Sequence, residues 1–116
     1  MRRRMMGNLK KKSVFVSYKG NYKIVRGGWV TNKYSVELSE DVFGDASPAF
    51  TMYYINNGAK TSISVTATKD TASDGYVYKL KFKAPNVVGT FPIEVHYVVN
   101  DKESSDFISA SMKISR

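Results

Sequence analysis

His96 is the only histidine in the chain, so it is the one ready candidate for a general base or a pH sensor near neutrality. By alternation it falls on the strand face opposite Val95 and Tyr97, where it reads as an isolated surface histidine. Ser62, Ser64, Ser109 and Ser111 lie on alternating polar faces. None stands in a Gly-x-Ser-x-Gly or Ser-x-x-Lys context, so none is marked as a nucleophile. No glycine-rich loop opens a helix to cradle a phosphate. Two acidic stretches could offer carboxylates to calcium: Glu40-Asp41 with Asp45, and Asp70 with Asp74. Neither follows the spacing of an EF-hand loop, and turn chemistry accounts for Asp in such places. The expectation is a protein with no catalytic residues, no metal site, no cofactor and no small-molecule substrate.

The strongest chemical signal is charge. Arg2, Arg3, Arg4, Lys10, Lys11 and Lys12 fall within the first twelve residues, which contain no acid. The chain's net charge is +8, and the rest of it holds 12 basic against 10 acidic residues. Residues 1–12 therefore form a basic arm on a nearly balanced body. Such an arm calls for an anionic partner, with a protein surface in an assembly favoured over nucleic acid. Lys79, Lys81 and Lys83 add a basic stripe on one strand. It reads as a solvated sheet face or a lysine-guarded edge strand ahead of a phosphate track. Trp29 and Tyr53 are candidate aromatic anchors for a partner.

These residues need a scaffold, and 116 residues suffice for one domain. A chain of that size buries roughly two-thirds of its unfolded surface, so it needs no staples. Hydrophobic residues make up 42% and aromatics 13%, and cysteine is absent, which suits a reducing cytoplasm. The basic start lacks the apolar run of a signal peptide, and no stretch approaches the roughly 18 apolar residues that cross a bilayer. No Asn-x-Ser/Thr sequon occurs.

From residue 13 onward the pattern is period-two alternation broken by turns. Strands are expected over Ser13–Tyr18, Tyr22–Arg26, Trp29–Ser39, Phe50–Ile55, Thr61–Thr68, Tyr76–Lys83, Phe91–Val99 and Phe107–Ile114. Glu40–Pro48 reads as a polar loop. Asn56-Asn57-Gly58 reads as a hairpin turn, because Asn and Gly tolerate positive φ. The cleanest segment sets Tyr76, Tyr78, Leu80 and Phe82 inward against Val77, Lys79, Lys81 and Lys83. Short strands at such spacing indicate a sandwich or barrel of about seven antiparallel strands.

The run Ala84-Pro85-Asn86-Val87-Val88-Gly89-Thr90-Phe91-Pro92-Ile93-Glu94-Val95 resembles the late hairpin of immunoglobulin-like domains. Asp74-Gly75-Tyr76 through Phe82 is similar to the strand that precedes it. The resemblance spans residues 13–116 but rests on a short motif. There is no cysteine pair, and Trp29 comes too early to be the central tryptophan of antibody-type domains. Small auxiliary (decoration) capsid proteins of tailed phages are similar in plan. That resemblance implies a non-enzymatic virion protein made in the host cytoplasm, docked on coat subunits in many copies, with no membrane partner. The alternatives are a small basic nucleic-acid-associated protein, a bacterial surface or adhesion module, and a carbohydrate-binding module. The last would need an exposed aromatic row, whereas alternation sends most aromatics inward.

Overall fold

The computed structural model describes residues 23–72 and 75–116. The basic arm, the expected strand Ser13–Tyr18, Tyr22 of the next expected strand and Asp74 lie outside the described residues. Described residues form β-strands and connecting loops, with no helix among them. The strands are β1 (Ile24–Val25), β2 (Trp29–Leu38), β3 (Phe50–Asn56), β4 (Ala59–Ile63) and β5 (Val65–Lys69). They continue with β6 (Tyr76–Lys83), β7 (Gly89–Val99), β8 (Lys102–Glu103) and β9 (Ile108–Ser115).

Two sheets pack face to face as an all-β sandwich. The larger runs β1-β9-β7-β3-β4, with β8 paired to β7, and the smaller runs β2-β6-β5. All ladders are antiparallel except β1 with β9, which is parallel and departs from the wholly antiparallel expectation. The core forms where the alternating apolar residues of both sheets meet. Val36, Leu80 and Phe82 from the small sheet and Met52, Ile93 and Met112 from the large one are fully buried. Each such side chain contributes about 1.5–3 kcal/mol of burial.

The Asn57-Gly58 hairpin takes the expected form. Asn56 pairs with Ala59, and both central residues have positive φ, which is the type I′ geometry that matches strand twist. Asn100-Asp101 repeats it between Val99 and Lys102. In β2 the register against β6 jumps between Thr31 and Tyr34. Two extra residues, Asn32 and Lys33, are accommodated there, with Asn32 at φ 59°. An even insertion keeps the alternation in phase, so Val30 and Val36 both face the core.

Three expectations are corrected. Thr61–Thr68 is not one strand: β4 belongs to the large sheet, β5 to the small one, and Ser64 is the crossing point. Ile63 pairs with Met52 and Val65 with Phe82, two residues apart but in different sheets. Because both face the same core, periodicity continues unbroken through the crossing. Second, the Glu40–Pro48 loop is not wholly polar in role. Phe43 is buried and meets Phe50 and Tyr78 edge-on, with centroids 5.4 and 5.2 Å away. Asp41 sets this turn by accepting hydrogen bonds from the backbone N–H groups of Phe43 and Gly44. Third, β6 is the central strand of its sheet and not a guarded edge, so its lysines lie on a sheet face.

Candidate binding surfaces

Trp29 and Tyr53 stand on the outer faces of different sheets. Trp29 opens β2 beside Lys83 of β6, while Tyr53 sits on β3 between Ser62 of β4 and Glu94 of β7. No single flat partner can meet both. Arg2, Arg3, Arg4, Lys10, Lys11 and Lys12 lie outside the described residues.

On the large sheet, Tyr53 belongs to a connected polar cluster. Strand alternation sends Glu94 and His96 out of the same face of β7. The β7–β8 hairpin then folds Glu103 and Ser104 back over them. His96 Nε2 lies 3.1 Å from Glu94 Oε1, and Nδ1 lies 3.0 Å from the Ser104 carbonyl oxygen. Both ring nitrogens are thus engaged by oxygen atoms of neighbouring groups. Glu103 Oε2 is 3.4 Å from Nδ1, and its other oxygen accepts from the Tyr53 hydroxyl at 2.9 Å. Lys60 reaches Glu94 Oε1 at 3.1 Å and lies 5.4 Å from the Tyr53 ring centre.

The electrostatics follow from these contacts. Burial alone would raise the Glu94 carboxyl. The hydrogen bonds and charges of His96 and Lys60 outweigh it and hold the group below the usual carboxylate range. Donation to Glu103, aided by burial, pushes the Tyr53 phenol above its ordinary value. The aromatic rings complete the patch. Tyr53 meets His96 edge-on at 5.6 Å, and Phe107, 41% exposed, lies over the other side of His96 at 5.1 Å.

His96 is thus buried and bonded, not the isolated surface residue expected from alternation. An outward position on a strand becomes buried when a later hairpin covers it. With both nitrogens engaged, neither is offered as a base without breaking a bond. Pairwise spacing held a partial signal: Glu94 and His96 are two apart on one strand. Glu103 gave none, because only the β7–β8 turn brings it in. Among the described residues, no group of three His, Cys, Asp or Glu side chains is placed to hold a metal ion. Asp70 accepts from the Ala72 N–H, the turn role that its sequence context suggested.

The small sheet presents a different chemistry. Its outer face carries Lys79, Lys81 and Lys83 along β6, with Thr31 and Ser35 of β2 on one side and Thr66 and Thr68 of β5 on the other. Trp29 is 65% exposed, and Lys81 Nζ lies 5.4 Å from its ring centre.

No protein-family model matches the chain, and no curated protein matches it significantly.

Proposed function

We propose that this chain is a non-enzymatic structural protein that binds other proteins through an immunoglobulin-like sandwich. In its specific form it is an auxiliary (decoration) protein of a tailed-phage capsid. The Tyr53–His96–Phe107 patch supports the docking reading. A rigid aromatic group on an outer sheet face, ringed by charged side chains, has the composition of an interface hot spot. The Tyr53 and His96 rings are held by hydrogen bonds before any partner arrives, so little of their side-chain entropy is lost on docking. The two-sheet architecture is compatible with the immunoglobulin-like plan that the Ala84–Val95 run resembles.

On this reading the sandwich docks on coat subunits from the large-sheet side. The basic arm, with Arg2 to Arg4 and Lys10 to Lys12, extends along acidic grooves of the same shell. Copies repeated by capsid symmetry add their contacts through avidity. The protein is made in the host cytoplasm and resides in the virion, with no membrane or small-molecule partner.

The test is affinity capture from the native source with three baits: the intact chain, a chain lacking residues 1–12, and Tyr53→Ala/Phe107→Ala. Recovery of a coat protein by the intact chain, insensitive to nuclease and reduced for both altered baits, supports the assignment. Undiminished capture by Tyr53→Ala/Phe107→Ala removes the large-sheet face from the interface. Recovery of no coat protein ends the capsid assignment.

A further inference from the structure

We propose that the outer face of the small sheet binds single-stranded nucleic acid, with phosphates on Lys79, Lys81 and Lys83 and a base stacked on Trp29. This face is opposite the Tyr53 patch, so the inference stands independently of the capsid reading.

The lysine stripe is the first observation. The three lysines alternate out of one strand, so neighbours are spaced by two residues, about 6.8 Å along the chain. β6 is hydrogen-bonded on both sides, which fixes that spacing. None of the three is in an ion pair with a described residue. Among the described residues, two carboxylates flank the Lys79 end of the face: Glu37 opposite Val77, and Asp70, which borders the same depression as Lys79 and Lys81. Three unpaired like charges in a row repel one another, and a string of phosphates relieves that repulsion. The stripe spans about 14 Å, enough for a few nucleotides of an extended strand.

The second observation is Trp29. Burial is the usual return on so large an apolar side chain, yet this one stays outside the core at the end of the stripe. Lys81 lies against its ring, tying the aromatic surface to the cationic track. Aromatic platforms beside a basic groove are the recurring means of holding single strands, because every base has a stackable face.

The third is shape. A shallow depression of about 320 Å³ is bordered by Thr31, Asn32, Thr68, Lys79 and Lys81. Another of about 450 Å³ has Trp29, Lys83 and Asn86 on one side and Tyr54 with Thr61 to Ser64 on the other, at the edge where the chain crosses between the sheets. Lys79 and Lys81 border the first and Lys83 the second, so each sets lysine ammonium groups beside hydroxyl or amide donors for phosphate oxygens. Among the described residues no helix is available to enter a duplex groove, which favours the single strand.

Trp29 is the only tryptophan in the chain, so its fluorescence reports this face alone. The full-length chain is titrated with a short oligothymidylate, an abasic oligomer of equal length, duplex DNA and polyglutamate. The expected result is quenching of Trp29 by oligothymidylate and none by the abasic oligomer. Lys79→Gln/Lys81→Gln/Lys83→Gln makes the log–log salt slope of binding shallower by about 2. Trp29→Leu weakens oligothymidylate binding roughly 5- to 150-fold, the range for losing one stacked base. All four positions are exposed, and the thermal melt of each variant checks its fold. An unchanged salt slope in the triple variant overturns the proposal by moving the phosphate contacts elsewhere. Equal quenching by polyglutamate overturns it in favour of an acidic protein partner, and tighter binding of duplex DNA overturns the single-strand preference.

Discussion

His96 Nε2 and Lys60 Nζ converge on one oxygen of Glu94, each at 3.1 Å. That carboxylate joins β4 to β7 across β3, while the other nitrogen of His96 meets the Ser104 carbonyl of the hairpin above. The contacts tune its ionisation and make the stability of the fold depend on pH in a predictable direction.

Glu94 ionises more readily in the folded protein than in the unfolded chain. The unfolded chain therefore takes up its proton first as pH falls. The stabilisation is fully present above the ordinary carboxylate value and is lost as pH drops through the lower folded value. Glu94→Gln is expected to flatten this part of the acid limb. Urea midpoints measured from neutrality down to strongly acid pH test it. Parallel acid limbs for the variant and the parent chain would contradict the assignment.

Tyr53 behaves in the opposite sense. Its phenol donates to Glu103 and is harder to ionise when folded than the ordinary value of 10.0. The folded state then holds the proton more tightly, so stability falls as pH rises through the window above 10.0. Tyr53→Phe removes this alkaline loss and, near neutrality, costs about 0.5–1.5 kcal/mol for one hydrogen bond. Spectrophotometric titration of the tyrosines, with and without the substitution, identifies the late-titrating phenol.

Phe43 makes a loop position behave as core. Phe43→Ala is expected to destabilise the fold by about 3–5 kcal/mol, the range for emptying a buried aromatic site. An exposed loop phenylalanine would cost far less, so a loss below about 1 kcal/mol in denaturant unfolding would show that Phe43 does not pack on Phe50 and Tyr78.

The alternating runs of β2, β6, β7 and β9 were legible because each has one face in the core and one outside. The residue pattern then states strand, facing and burial together. Asn57-Gly58 announced its hairpin because its backbone geometry depends on those two residues alone. Lys79, Lys81 and Lys83 were visible as a stripe for the same local reason.

Other features depended on which strands become neighbours, and alternation carries no record of that. Ile63 and Val65 share a phase whether or not the chain changes sheets at Ser64. The lysine strand reads alike at an edge or at the centre. His96 looks exposed until a hairpin eight residues on covers it, and Glu103 reaches Tyr53 across fifty positions. The sequence by itself determined the all-β character, most strand facings and the charge of each surface, because these follow from side-chain chemistry at period two. Only the tertiary structure decided that Trp29 and Tyr53 face opposite ways and that Glu94, His96 and Glu103 meet, because strand order and hairpin closure are set by contacts between distant residues.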